Sequence, residues 1–124
     1  MTHTYEMTVR GHEMDSFGHV NNAVYLNYCE QARWEILREK NLFHYFTDGG
    51  LFLVVTETTI RYSVEARVFD VLVIKTELMK DSPYLVFKHK IYNKTTGTLI
   101  TKATFKTLLL SQDRVPQDIP EDFL

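Results

Sequence analysis

The sequence has 124 residues, 44% hydrophobic, 24% charged and 13% aromatic, with a formal net charge of −2. That length suffices for one domain with a buried core and no staples, and the charge balance supplies no global basic field to draw nucleic acid or an anionic membrane. A single cysteine, Cys29, excludes an internal disulfide framework and any multi-cysteine zinc or iron–sulfur site.

No run approaches the roughly 18–20 apolar residues that span a bilayer, and Met1–Arg10 carries no apolar stretch of signal-peptide length. The expected location is the cytoplasm, without membrane insertion. No linker, repeat or low-complexity tract divides the chain, so residues 1–124 read as a single domain.

Thr4–Arg10 alternates loosely and predicts a short first strand. A break from Gly11 to Gly18 follows, holding Glu13, Asp15 and Ser16. From about Asn22 to Lys40 the period becomes helical: Tyr25, Cys29, Ala32 and Ile36 share a face, with Leu26 and Leu37 beside it. Asn21 or Asn22 suits the N-cap, and Arg38 and Lys40 suit the negative end of the dipole.

A short helical turn is expected at Leu42–Phe46, then a break at Asp48-Gly49-Gly50. Strands follow in succession. Leu51–Tyr62 is rich in Val, Thr and Ile. Val71–Lys80 sets Leu72, Ile74 and Leu78 against Lys75 and Glu77, and Tyr84–Asn93 sets Leu85, Phe87, His89 and Ile91 against Lys88 and Lys90. Leu99–Leu110 alternates Lys102, Thr104 and Lys106 with Ala103 and Phe105. Short turns between these strands favour antiparallel pairing. The tail beyond Gln112, with Pro116 and Pro120, reads as an extended surface segment. The class is α+β: one strand, one long helix, then four strands around it.

The segment Val9-Arg10-Gly11-His12-Glu13-Met14-Asp15-Ser16-Phe17-Gly18-His19-Val20-Asn21-Asn22-Ala23-Val24-Tyr25-Leu26 goes further. It resembles the signature of hot-dog-fold acyl thioesterases of the 4-hydroxybenzoyl-CoA type. The Gly18-His19-Val20-Asn21-Asn22-Ala23-x-Tyr25 portion resembles members acting on acyl-acyl carrier protein (ACP) or 1,4-dihydroxy-2-naphthoyl-CoA. Ile60-Arg61-Tyr62, Ala66-Arg67-x-x-Asp70 and Ile119-Pro120 are similar to later family patterns, so the resemblance covers nearly the whole chain.

The resemblance implies a five-stranded antiparallel sheet wrapped around the helix, homodimers joined through their sheets, and assembly into homotetramers. It implies hydrolysis of an acyl-CoA or acyl-ACP thioester, with Asp15 as nucleophile or general base on the loop before the helix. The helix N-terminus offers unpaired N–H groups to the thioester oxygen, and the family spacing puts the main oxyanion donor at Asn22. Gly18 lets the loop turn tightly, and His19 either polarises the carbonyl or holds the loop. Tyr25 and Glu30 are candidates for substrate contact. Arg67, Lys80 and Lys102 are candidates for the nucleotide end of CoA. Another branch of the superfamily carries its carboxylate on the central helix, which keeps Glu30, and Glu65, in reserve.

The turn Asp81-Ser82-Pro83 departs from the arginine cluster of some 4-hydroxybenzoyl-CoA enzymes, which leaves the substrate open. Trp34, Phe43, Phe46 and Phe52 are candidate pocket residues. Cys29, with no histidine nearby in sequence, reads as a core thiol. No Gly-x-Ser-x-Gly elbow, phosphate-cradling glycine loop or His-x-x-x-His pair occurs, so neither a cofactor nor a metal is expected. Two alternatives keep the fold: an enoyl-thioester hydratase or dehydratase using Asp15 with His19, and a non-catalytic acyl-ligand-binding protein.

Overall fold

The computed structural model describes residues 2–124. Strand β1 (Thr2–Thr8) leads through a 3-10 turn (Gly11–Glu13) to helix α1 (Val24–Glu39) and the short helix α2 (His44–Thr47). Strands β2 (Phe52–Tyr62), β3 (Val71–Asp81), β4 (Tyr84–Asn93) and β5 (Leu99–Leu110) follow, and a 3-10 turn at Glu121–Phe123 ends the chain. One five-stranded sheet results, in the order β1-β3-β4-β5-β2. Every pairing is antiparallel, and the helix lies on one face. This is the hot-dog arrangement.

The helix forms as its periodicity requires. Tyr25, Cys29, Ala32 and Ile36 are all buried, joined by Tyr28 and Leu37, whereas Leu26 is exposed. Against them stand Leu72 and Ile74 of β3, Leu85, Phe87, His89 and Ile91 of β4, and Ala103 and Phe105 of β5, all buried. The predicted inward faces of β3, β4 and β5 are thus the observed ones, as a period of two dictates.

Three boundaries differ from expectation. The helix begins at Val24, its N-cap is Ala23, and no side chain among the described residues caps it. Asn21 instead closes a turn one step earlier: its Oδ1 accepts the Ala23 N–H at 2.9 Å and its carbonyl accepts the Val24 N–H at 2.9 Å. The first strand ends at Thr8, because Val9 leaves the sheet to exchange hydrogen bonds with the segment before β3 (Val9 N–H to Asp70 O, 2.9 Å; Phe69 N–H to Val9 O, 3.0 Å). The tail is no loose surface segment. Ile119 and Phe123 are buried, Phe123 packs on Tyr45 and Phe46 of α2, and the Tyr45 hydroxyl donates to Asp122 at 2.8 Å. A proline-containing tail lacks periodicity, so its two buried anchors carried no pattern to read.

The outer face of the sheet is basic. Lys75, Lys90, Lys102 and Arg61 stand opposite one another in register on β3, β4, β5 and β2, and all are exposed. Among the described residues none of these four cations makes an ion pair. Lys88 and Lys106 lie further along β4 and β5; Glu77 faces Lys88 across the ladder, and Lys106 reaches Glu57 at 3.9 Å.

Among the described residues, no helix is long and apolar enough to cross a membrane, and no group of His, Cys, Asp and Glu is arranged to hold a metal ion.

Candidate active site

The loop between the 3-10 turn and α1 is closed on itself. Met14 and Val20 form an isolated bridge, and the Asp15 N–H donates to the His19 carbonyl at 2.7 Å. The return is made at Gly18, whose φ of 81° lies in the left-handed region that a side chain disfavours. Within this loop Asp15 Oδ1 accepts the backbone N–H groups of Phe17 at 2.9 Å and His19 at 3.2 Å. Oδ2 has no hydrogen-bond partner among the described residues. One oxygen therefore fixes the carboxylate while the other stays available.

Glu13 ties this loop to the helix. Its carboxylate is buried and accepts the Arg10 backbone N–H at 2.8 Å, the Arg10 guanidinium at 3.1 and 2.7 Å, and the Tyr28 hydroxyl at 2.9 Å. Burial alone would raise its pKa, but the Arg10 and Tyr28 donors outweigh it and hold the group below the ordinary glutamate value. The Glu13 carbonyl takes the Asn21 N–H at 3.0 Å, which sets the approach to α1.

Asp15, His19, Asn22 and Tyr25 surround one cleft of about 300 Å³, whose opposite wall is Tyr62-Ser63-Val64-Glu65. Tyr25 is buried, accepts the Ala66 N–H on its hydroxyl at 3.1 Å, and lies 5.5 Å from the Tyr62 ring. The Tyr62 hydroxyl donates to the Asn22 carbonyl at 2.9 Å, bracing the backbone just ahead of the helix. The Asn22 N–H, by contrast, meets no acceptor among the described residues. His19 Nε2 lies 3.5 Å from Glu65, so its ring turns to the far wall rather than to Asp15.

A second, larger chamber of about 570 Å³ lies toward the C-terminal half of α1. Trp34, Phe43, Phe46 and Phe52 all line it, together with Leu37, Leu51, Leu53 and Val55. Glu30 belongs to this chamber and not to the Asp15 cleft, as does Arg33. Arg67 reaches the rim of the cleft only through Glu65, at 3.4 Å. Lys80 lines neither cavity and pairs with Leu85 near the end of β3, and Lys102 sits in the basic row of the outer face. Cys29 is buried and its thiol is pushed up to about 12 by burial, which makes it inert.

Glu13, Tyr62, Ser63, Val64 and Arg33 are absent from the sequence-level candidates. For Arg33 a signal existed: it falls four residues after Cys29 and four before Leu37, on the edge of the buried face. For Glu13 none did, because a carboxylate in a loop looks the same whether buried or solvated.

The Thioesterase-like superfamily profile matches residues 9–124. The long-chain acyl-CoA thioesterase FadM of Escherichia coli is 36% identical over 75 residues, 60% of this chain and 57% of that one. The chloroplastic acyl-acyl carrier protein thioesterase ATL3 of Arabidopsis thaliana is 32% identical over 120 residues, 95% of this chain and 63% of that one. The match thus spans about three fifths of the length of these two curated relatives. In fold, the chain is similar to the crystal structure of a 1,4-dihydroxy-2-naphthoyl-CoA thioesterase from Synechocystis, with a TM-score of 0.90 at 20% identity, covering 99% of this chain and 93% of the other. With the closed aspartate loop, the single wrapped helix and a profile match over nearly its full length, the chain belongs to the Thioesterase-like superfamily.

Proposed function

We propose that residues 1–124 act as one catalytic domain that hydrolyses an acyl-CoA or acyl-ACP thioester to free acid and thiol. The observation that carries this reading is the pairing, in one cleft, of a carboxylate oxygen left available on Asp15 with the unengaged N–H of Asn22. The names of the relatives, an acyl-CoA and an acyl-ACP thioesterase, support the substrate class.

In this reading the thioester carbonyl oxygen accepts the Asn22 N–H, and a donor of this kind lowers the barrier by about 3–4 kcal/mol. Asp15 Oδ2 either removes a proton from water, which then attacks the carbonyl carbon, or attacks the carbon itself to give an anhydride that water hydrolyses. In both routes the C–S bond breaks, the electron pair leaves with sulfur, and the thiolate takes up a proton. Gly18 sustains the loop that clamps Asp15 Oδ1, and Tyr25 and Tyr62 brace the cleft walls. His19 holds Glu65 across the mouth. The apolar chamber receives the acyl chain, with Glu30 at its wall.

The reading includes a homodimer and its pairing into a homotetramer. Support comes from β2, an 11-residue edge strand whose outer side has no partner strand among the described residues. Light scattering of the purified chain measures this directly, and a monomer at working concentration contradicts it.

The deciding experiment is thiol release across short, medium, long and aromatic acyl-CoA and acyl-ACP substrates, run beside Asp15→Asn. Loss of the carboxylate is expected to lower kcat by about 10²–10⁴-fold, with stability unchanged because the Asn oxygen still accepts from Phe17 and His19. Undiminished turnover in the variant removes Asp15 from the mechanism. Label entering Asp15 from ¹⁸O-water in a single turnover establishes the anhydride route, since it requires water to attack the aspartyl carbonyl of that intermediate.

A further inference from the structure

Arg33 brings a positive charge to an apolar wall. Its guanidinium carbon lies 4.1 Å from the centroid of Phe105 and 5.9 Å from that of Phe87, and the side chain lines the 570 Å³ chamber. Among the described residues it has no carboxylate within ion-pair distance, although Glu30 stands one turn away on the same helix and lines the same chamber. Its guanidinium makes one hydrogen-bond contact among the described residues, Nη1 to His89 Nε2 at 3.4 Å.

That contact fixes the group behind it. With Nε2 accepting, the His89 ring proton sits on Nδ1 and donates to Thr76 Oγ1 at 2.7 Å. His89 is fully enclosed, and burial together with Arg33 pushes its pKa down to about 3, so it stays a neutral acceptor. Arg33 has five N–H donors in a planar fork, of which His89 occupies one. The remaining donors of a half-buried cation sit beside a chamber walled by Trp34, Phe43, Phe46 and Phe52. A partly desolvated charge with no carboxylate in contact is costly, Glu30 acting on it only from a distance, and a bidentate carboxylate is the ligand whose geometry the fork matches.

We propose that the chamber is a receptor for a carboxylate-ended hydrocarbon chain, in which Arg33 takes the carboxylate and the aromatic wall takes the chain. A volume of about 570 Å³ lies within the range of roughly 300–1,000 Å³ usual for small-molecule pockets, which suits a medium or long chain. Two sources present the same chemistry: the distal carboxylate of a dicarboxylic acyl group, or the free acid released by thioester cleavage. Binding itself stands apart from turnover; only its link to catalysis rests on the thioesterase reading.

Trp34 is the sole tryptophan and lies in the chamber wall, so its fluorescence reports occupancy in the unmodified protein. Decanoate is expected to bind at least tenfold more tightly than 1-decanol. In Arg33→Met that preference falls below threefold. Equal affinities in the native chain, or a preference that survives in Arg33→Met, overturn the receptor. The Arg33 Nε–H resonance gives a second reading without any substitution: it is expected to move on adding decanoate and to stay with 1-decanol, and no movement with decanoate overturns the proposal. The sources separate kinetically. A dicarboxylic substrate predicts that dodecanedioyl-CoA outpaces dodecanoyl-CoA and loses that advantage in Arg33→Met. A product site predicts competitive inhibition by dodecanoate, weakened at least tenfold in the same variant. A chain that binds decanoate through Arg33 but releases no thiol sinks the proposed reaction and keeps the receptor.

Discussion

The Tyr28 hydroxyl donates to Glu13 Oε1 at 2.9 Å, joining the buried face of the helix to the loop that presents Asp15. Against the opposing effect of burial, the Arg10 and Tyr28 donors hold the Glu13 carboxyl below the ordinary glutamate value. A depressed carboxyl stabilises the fold fully above the unfolded-state value, and that contribution disappears as pH falls through the folded value. Glu13→Gln is therefore expected to cost about 1.5–3 kcal/mol near neutrality, with the gap from the native chain closing as the medium is acidified below about 4.3. Urea unfolding at pH 7, 5 and 3.5 measures the gap. A difference that stays constant across that series contradicts the assignment.

Gly18 and Gly11 both leave open space for a methyl group, since beyond their chain neighbours no described residue comes within 4 Å of where it would sit. They differ in backbone: only Gly18 lies in the left-handed region, at φ 81°. Gly18→Ala is expected to cost about 1–2 kcal/mol through strain alone and to reduce kcat, because the His19 N–H that holds Asp15 follows directly. Gly11→Ala is expected to stay within about 0.5 kcal/mol with unchanged turnover. Equal behaviour of the two variants would remove the strain argument.

Phe123 is fully buried against Tyr45 and Phe46. Phe123→Ala is expected to cost about 3–5 kcal/mol, read as a lowered denaturant midpoint with the slope preserved. Since Phe46 also lines the large chamber, ligand-induced change in Trp34 fluorescence is expected to weaken alongside. A surface tail would give neither effect.

Thr101 on β5 is completely enclosed, and its hydroxyl has no hydrogen-bond partner among the described residues. Valine has nearly the same shape and no hydroxyl. Thr101→Val is expected to raise stability by about 1 kcal/mol or more, measured as an increase in Tm. A loss of stability would mean that the hydroxyl is satisfied in solution.

The strands and the helix were legible because burial imposes a period, and Tyr25-Cys29-Ala32-Ile36 or Leu85-Phe87-His89-Ile91 display it without ambiguity. The Asp15 loop was legible for a different reason: the Asp15–Gly18–Tyr25 spacing resembles a family signature, which periodicity would not have supplied. The helix start escaped because Asn21 serves a turn and a cap with the same side-chain chemistry. Tyr62 escaped because a long-range contact to Asn22 leaves no local trace. Arg33 and Glu13 show the same limit from the other side, since a charge at a half-buried position acquires its meaning only from neighbours distant in sequence.

The row of Lys75, Lys90, Lys102 and Arg61 gives the molecule a polarity that its net charge of −2 conceals. With Lys88 and Lys106 beside that row, the surplus anions must lie mainly elsewhere, so the protein carries a lasting electric asymmetry across its thickness. Adsorption answers to the nearest face and not to the average. On a negatively charged chromatographic matrix at pH 7 and low salt, the chain is accordingly expected to be retarded sheet-first, where its overall charge alone would have it pass unretained.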